Sequence, residues 1–322
     1  MNSSHTFAYR AVTHLILIGT AFFWGINPMV MKVGMQELHP VPFNALRLSV
    51  GLVAAFLQLL ISRSWKPVRR EDLPRFLVVA VAGFFLFQFC YSFGVDYTSA
   101  SVGSIILGTL PIQVAIITKV FRIEVLSLNK TLGILATFAG VIFIALGKHG
   151  GLGMGSTYAF GVVLLAIAEF GYGVYTVFLR PLTARYSIYQ IIFIVMSVAL
   201  TPFILMSLPA FGLATFAGLR PITWFSASFS GIFALALGNT LWSFGIKRIG
   251  STNASVYGNL PPVFGILAGI IVLKETLSPM QLLGALIILG GVSLVNKKPA
   301  TDTGAPADLQ AADQAETEGV SE

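Results

Sequence analysis

Two stretches of this 322-residue chain resemble each other. Residues 124–147 read EVLSLNKTLGILATFAGVIFIALG, and residues 275–298 read ETLSPMQLLGALIILGGVSLVNKK. The match extends without a gap over residues 94–148 against 245–299, a shift of 151 positions. The eleven identical pairs are Gly94/Gly245, Ser104/Ser255, Pro111/Pro262, Glu124/Glu275, Leu126/Leu277, Ser127/Ser278, Leu132/Leu283, Gly133/Gly284, Leu135/Leu286, Gly140/Gly291 and Val141/Val292. Many of them are Gly, Pro, Ser or Glu, so the match indicates an internal repeat and not a chance likeness of apolar segments.

The composition is that of a membrane protein. Apolar residues make up 56% of the chain and charged residues only 10%, against about 25% charged residues in a soluble domain. The mean hydropathy is +0.84. The net charge of +7 does not indicate a nucleic-acid partner, because the basic residues lie in short loops between long apolar runs, where they set membrane orientation.

The apolar runs predict an all-α membrane protein with ten transmembrane helices, since a helix needs about 20 apolar residues to cross a bilayer. The predicted spans are 13–34, 41–62, 73–94, 98–119, 127–147, 157–179, 187–208, 223–245, 251–273 and 278–296. The first run is too long for a signal-peptide core and is kept as a mature helix. Pro28, Pro111, Pro202 and Pro261-Pro262 are expected to interrupt their helices, which frees backbone groups for substrate binding or forms hinges. Ordinary kinks are the alternative, and for Pro202 the favoured one.

Ten spans and the repeat together predict two five-helix halves. Because five is odd, the second half must be inserted upside down, which is typical of transporters with a site between the halves. A cytoplasmic N-terminus places fifteen Lys and Arg residues on the cytoplasmic side and four on the other. This asymmetry predicts that both termini are cytoplasmic.

These features divide the chain into five segments. Residues 1–12 form a cytoplasmic N-terminus, 13–147 the first repeat, 148–156 a glycine-rich linker and 157–298 the second repeat. Residues 299–322 contain six acidic residues and no basic one, which predicts a disordered tail. The favoured interpretation is that this tail is a solvated segment without a specific role, and a regulatory role is the alternative.

The Glu-x-Leu-Ser motifs, each followed by a glycine (Glu124 to Gly133, Glu275 to Gly284), carry a family resemblance. The chain resembles the EamA-type ten-helix exporters of the drug/metabolite transporter superfamily over about residues 13–296. Other features that match this family are Trp24-Gly25, Asn27-Pro28, Pro42 with Arg47, and Leu260-Pro261-Pro262. The resemblance implies a central cavity in the cell (inner) membrane and the export of small metabolites, most like the neutral or aromatic amino-acid exporters.

Glu169 is the single acidic residue that falls in the middle of a predicted span. A charge at this depth costs roughly 2.5–3.5 kcal/mol, so its side chain should face a cavity or a partner. It is the candidate for proton coupling or for contact with a substrate ammonium. The alternative is a structural ion pair with Arg47 or Lys32.

Further polar and aromatic residues recur at helical spacing and should face inward, because lipid accepts polar groups poorly. They suit a small zwitterion, and interhelical hydrogen bonding is the alternative. The predicted substrate-binding residues are Trp24, Asn27, Gln88, Tyr91, Glu169, Tyr172, Asn239, Trp242, Tyr257 and Asn259.

Other motifs have structural interpretations. Ser278 to Gln281 predicts a capping box at a helix start. Glu124 and Glu275 are expected at helix ends, with a gating ion pair as the alternative. Gly265-x-x-x-Gly269 predicts helix packing within the chain, compatible with a monomer, and dimerisation is the alternative.

We expect no cofactor and no metal. The chain has one cysteine and four histidines spread along the sequence, and Gly150–Gly155 lacks the Lys-Ser/Thr of a phosphate loop. The sequence thus predicts a carrier with a small-molecule substrate and a lipid environment. A lipid or lipid-linked flippase remains an alternative. A membrane enzyme is less favoured, since no paired carboxylates, His-Glu-x-x-His or Gly-x-Ser-x-Gly occur in the sequence.

Overall fold

A computed structural model describes residues 3–123, 128–146, 156–210 and 218–296. Glu124, Ser127, residues 148–155 of the linker expected at 148–156, and the acidic tail lie outside these ranges. Within them the chain is helical and contains no strand. The predicted all-α class is therefore confirmed.

The first half of the chain forms α1 (Ser3–Gly34), α2 (Pro40–Ser62) and α3 (Arg70–Tyr97), followed by α4 in two pieces and α5. The pieces of α4 are α4a (Ala100–Leu107) and α4b (Leu110–Val120), and α5 is Leu128–Leu146. A π-helical segment, Val78–Phe85, widens the middle of α3.

The second half forms α6 (Ser156–Thr183), α7 (Ile188–Ser207) and a helical run of 53 residues, Pro221–Leu273. Gly250 breaks this run with φ 81° and ψ 164°, so we divide it into α8 (221–249), α9a (251–259) and α9b (Pro261–Leu273). The last helix is α10 (Pro279–Asn296). A π-helical segment, Ser230–Leu237, lies in α8.

Within the described ranges, six helical runs are long and apolar enough to cross a membrane, or seven if the two pieces of α4 count as one bent span. One of the six is the long run that contains α8 and α9. Two shorter apolar helices, Thr131–Ile144 and Pro279–Leu294, lie within α5 and α10. The helices agree with the predicted spans to within a few residues, except that α1 starts earlier. A multi-pass membrane protein is confirmed, and the count of ten spans stays a prediction.

The predicted interruption is wrong at Pro28, whereas at Pro202 the continuous helix leaves the favoured alternative of an ordinary kink. The α-helix is interrupted just before Pro111, where the axis bends by 42°, and just before Pro261, as expected. Pro28 and Pro202 instead lie inside the continuous helices α1 and α7. A membrane bundle tolerates such prolines because neighbouring groups satisfy the freed backbone carbonyls.

Helices α5 and α10 pack against each other through glycines. A Cβ on Gly140 would lie 2.7 Å from the carbonyl oxygen of Gly284, and a Cβ on Gly291 would lie 2.7 Å from that of Gly133. The earlier glycine of each helix thus meets the later glycine of the other, so the two helices cross antiparallel. Small residues at both contacts let the backbones approach closely.

The motif at the start of α10 is confirmed as a capping box. The backbone N–H of Ser278 donates to Oε1 of Gln281 at 2.8 Å, and the N–H of Gln281 donates to Oγ of Ser278 at 3.2 Å. Glu275, just before it, accepts from the backbone N–H groups of Ala100 and Ser101 at 2.8 and 2.9 Å. Glu275 therefore caps α4a, since helix N-termini carry unsatisfied donors that favour a carboxylate.

The Gly265-x-x-x-Gly269 motif packs within the chain. A Cβ on Gly265 would clash with Ser104, and a Cβ on Gly269 would clash with Ser101 and with Glu275. Both glycines therefore face α4a or the segment that caps it, and they are buried. This agrees with the interpretation as internal packing.

Candidate functional site

A cavity lies between the helices in the middle of the bundle, with about 490 Å³ of space that no atom occupies. Residues from α1, α3, α4, α6, α8 and α9 line it. Seven predicted binding residues are among them: Trp24, Asn27, Gln88, Tyr91, Glu169, Tyr172 and Asn239.

The two helix breaks both face this cavity. Leu107 and Leu110, on either side of the break in α4, line it, as do Gly258 and Pro261 at the break in α9. Broken helices in transporters bring backbone groups to a binding site at membrane depth. Sequence reasoning had placed Pro111 and Pro261 at breaks but did not assign the flanking leucines to the cavity.

Glu169 is fully buried on α6 and lines the cavity. Neither of its carboxylate oxygens has a hydrogen-bond partner, and no described residue forms an ion pair with it. The alternative of a structural pair with Arg47 or Lys32 is therefore not what the structure contains. The Nζ of Lys32 instead donates to the backbone carbonyls of Val95 and Asp96 at 2.9 and 2.6 Å.

Arg47 is the centre of a buried polar network beside the cavity. Its guanidinium donates to Oδ1 of Asn44 at 2.7 Å, Oε1 of Gln88 at 2.5 Å and Oγ of Ser230 at 2.9 Å. Asn44 in turn donates to Oγ of Ser92 at 2.6 Å. The network joins α2, α3 and α8, and it spreads the cost of burying the guanidinium over several hydrogen bonds.

Gln88 connects this network to the cavity. Its amide oxygen is held by Arg47, so its amide nitrogen is left to donate elsewhere. Because Gln88 also lines the cavity, it can present a donor to a bound molecule. The role of Arg47 was not predicted, although an arginine inside an apolar run is a signal for a functional site.

Aromatic rings form one wall of the cavity. The ring centroid of Tyr172 lies 5.2 Å from that of Trp24 and 4.9 Å from that of Phe87, and Phe87 stacks on Tyr91 at 5.0 Å. The hydroxyl of Tyr172 donates to Oδ1 of Asn239 at 2.9 Å. These contacts hold the rings in place along the wall of the cavity. Phe87 was not predicted, because a phenylalanine in an apolar helix has no distinguishing signal.

Four of the nine buried side-chain polar atoms that lack a partner among the described residues belong to residues of the cavity. The buried Oδ1 of Asn27, the hydroxyl of Tyr91 and the carboxylate of Glu169 all lack a hydrogen bond to any described residue, and all three residues line the cavity. Buried polar groups in proteins are satisfied in about nine cases of ten or more. Their clustering indicates a place where a polar ligand or water completes the hydrogen bonding.

Three predicted binding residues lie outside the cavity lining. Trp242 packs behind it, with its ring 5.0 Å from Trp24. The hydroxyl of Tyr257 hydrogen-bonds to His14. Asn259 is partly buried, and its Oδ1 has no hydrogen-bond partner among the described residues.

The architecture and the cavity define a class of protein: a multi-pass helical membrane protein with a buried polar site. The profile of the EamA-like transporter family matches residues 12–146 and 159–297. The chain belongs to this family. Membership indicates a transporter rather than an enzyme.

Relatives and a solved structure agree with this assignment. An "Uncharacterized transporter" of Archaeoglobus fulgidus is 25% identical over 287 residues, covering 88% of this chain and 98% of the relative. A "Probable terminal-alkyne amino-acid exporter" of Streptantibioticus cattleyicolor is 26% identical over 294 residues, covering 90% and 94%. A crystal structure with 18% identity superposes with a TM-score of 0.64, covering 88% of this chain and 96% of the other, and shows the same fold.

Proposed function

We propose that this chain is an inner-membrane carrier that exports small zwitterionic metabolites, in particular neutral or aromatic amino acids, by alternating access. The observation that carries the proposal is the unpaired carboxylate of Glu169 in a cavity with aromatic walls. An unpaired buried carboxylate attracts a cation, and an ammonium group supplies both the charge and three donors.

The other end of a zwitterion has donors of its own. The amide nitrogen of Gln88, oriented by Arg47, and the hydroxyl of Tyr91 can donate to a substrate carboxylate. The rings of Trp24 and Tyr172 offer faces for an apolar or aromatic side chain. The exporter name of the Streptantibioticus relative supports an amino-acid substrate.

We further propose that the ten helices form two five-helix repeats of opposite orientation, 13–147 and 157–298. The support is in the packing. Val78–Phe85 and Ser230–Leu237 are π-helical at a shift of 152 positions, and both α4 and α9 break at equivalent points. The antiparallel crossing of α5 and α10 is what equivalent helices of inverted repeats require.

On this proposal both termini are cytoplasmic and one chain suffices, since the glycine motif of α9b is used internally. Rocking of the halves about the cavity opens it to each side in turn. Glu169 is the group that couples protons, if the carrier is an antiporter.

The experiment is uptake into proteoliposomes of purified protein. Labelled neutral and aromatic amino acids are compared with a few sugars and nucleosides, each with and without an imposed pH gradient. We expect saturable flux of amino acids alone, and a response to the gradient identifies proton antiport. Saturable flux of sugars or nucleosides instead would refute the substrate class. Absence of flux for every solute in folded protein would favour a lipid substrate.

A further inference from the structure

A second groove lies at the end of α2, away from the central cavity. It has about 620 Å³ of space that no atom occupies. Phe193 of α7 closes one side, with its ring 5.6 Å from Phe56 and 6.5 Å from Trp65. The groove is lined by Phe56, Leu59, Leu60, Arg63 and Trp65. Three of these side chains, Phe56, Leu60 and Trp65, are 44%, 52% and 55% exposed, so the groove has an open apolar wall.

The loop that follows α2 is fixed in place. Oγ of Ser64 donates to Oγ of Ser187 at 2.7 Å. The N–H of Lys66 donates to Oε1 of Gln190 at 2.9 Å, and Nε2 of Gln190 donates to the carbonyl of Lys66 at 2.6 Å. These bonds attach residues 64–66 to the start of α7. The aromatic and basic side chains at the groove are therefore held by an ordered backbone.

Two basic residues belong to the groove or to the loop beside it: Arg63 lines the groove, and Lys66 follows Trp65 in the sequence. The side chains of Arg63 and Lys66 make no hydrogen bond or ion pair with a described residue. Glu71, the next acidic residue along the sequence, already pairs with Arg185 at 2.8 Å and with Arg69 at 3.4 Å. The two cations are thus left for a partner with negative charge.

We propose that this groove binds an anionic glycerophospholipid. The phosphate lies between Arg63 and Lys66, an acyl chain lies along Phe56 and Leu60, and Trp65 sits at the headgroup level. Basic groups next to transmembrane helices attract anionic headgroups, and tryptophan is enriched at the membrane–water interface. The groove thus combines an apolar wall, a tryptophan and unpaired cations. A loop whose basic residues only orient the protein in the membrane does not require this combination.

The test is quenching of Trp65 fluorescence by brominated lipids in reconstituted protein. All samples carry Trp224→Phe, because Trp224 is 40% exposed, and Trp65→Phe in the same background gives the signal to subtract. Dibrominated phosphatidylglycerol is compared with dibrominated phosphatidylcholine. We expect preferential quenching by phosphatidylglycerol, and a loss of about fivefold in that preference for each cation removed in Arg63→Gln and Lys66→Gln.

Two variants make the result specific. Arg63→Lys keeps the charge and should keep the preference. Lys119→Gln removes an exposed cation outside the groove and should also keep it. Equal quenching by the two lipids would overturn the proposal, as would an equal loss in Lys119→Gln. A preference that appears only after deletion of residues 299–322 would identify the acidic tail as the occupant and would equally overturn it.

Discussion

Two buried ionisable residues at or beside the cavity differ in their hydrogen bonding. Arg47 has three side-chain oxygen acceptors within hydrogen-bond distance, whereas the carboxylate of Glu169 has no described donor. Removing a hydrogen-bond partner from a buried charged group destabilises the protein, whereas a buried charged group that has no partner is stabilised when a ligand supplies one. On the proposed mechanism, Arg47 is therefore a positioning residue, and Glu169 is the residue that meets the substrate or the proton.

Glu169→Gln should abolish the pH dependence of transport, because glutamine keeps the shape of the side chain but cannot exchange a proton. Glu169→Asp should retain it. The measurement is the initial rate of amino-acid flux in proteoliposomes across a range of pH. An unchanged pH profile in Glu169→Gln would exclude proton coupling through this residue.

A second prediction concerns the loop between α1 and α2. Glu37 accepts a hydrogen bond from the hydroxyl of Thr223 and one from Nε of Arg220 at 2.5 Å. The hydrogen bond from Thr223, and then those from Arg220, hold the pKa of Glu37 below its usual value of 4.5. A lowered pKa in the folded state contributes stability above the unfolded-state value, and this stability is lost as the pH falls through the folded-state value.

The melting temperature in detergent should therefore fall as the pH is lowered below 4.5. Glu37→Gln should be less stable at neutral pH and should show a smaller fall, and Thr223→Val should behave between the two. Identical acid profiles for wild type and Glu37→Gln would show that this cluster does not stabilise the fold.

Sequence reasoning found the cavity residues that are polar and periodic. Seven of its ten candidates line the cavity, because polar groups on transmembrane helices must face inward. It could not separate the layer that touches the cavity from the layer behind it. Trp242 shares a helical face with Asn239 but packs against Trp24 and does not line the cavity. The difference between the two positions depends on tertiary packing, which helical spacing alone does not predict.

At the scale of helices, the arrangement depends on close backbone contacts. A Cβ on Gly25 of α1 would lie 2.6 Å from the carbonyl oxygen of Pro261 and 2.7 Å from Cβ of Phe264. The break in α9 is thus held directly against α1. Gly19, earlier on the same helix, would meet nothing within 4 Å.

Gly25→Ala should destabilise the protein by about 1–3 kcal/mol, the usual cost of overpacking, and should reduce transport by moving α9b. Gly19→Ala is the matched control and should be neutral or more stable by up to about 1 kcal/mol, from helix propensity. Thermal melting and flux measured on both variants decide this. Equal effects of the two substitutions would argue against a tight contact between α1 and α9b.

Helix positions followed from the sequence because apolar runs of membrane length are unambiguous. The breaks in α4 and α9 followed in part from Pro111 and Pro261. The π-helical segments did not, since Val78–Phe85 and Ser230–Leu237 contain no proline and read as ordinary apolar helix. They form where α3 and α8 pack closely against other helices, as at Gly83 against Tyr175 and Gly231 against Gly51.

For the whole molecule, the acidic tail should be dispensable for transport. Deletion of residues 299–322 removes six acidic residues and no basic one, and a segment of this composition cannot bury a core. Flux in proteoliposomes should equal that of the full chain at equal reconstitution. Loss of flux in a variant with an unchanged melting temperature would assign the tail a regulatory role.

The central claim is that the molecule is a carrier that exposes one site alternately to each side of the membrane. Solute counterflow tests it most directly: proteoliposomes loaded with unlabelled amino acid are diluted into trace labelled amino acid, with wild type and Glu169→Gln compared. For the wild type we predict a transient accumulation of label above its equilibrium level that saturates with substrate concentration. For Glu169→Gln we predict that the pH dependence of this accumulation is altered. Equilibration without accumulation, for every amino acid that crosses, would contradict alternating access and indicate a channel.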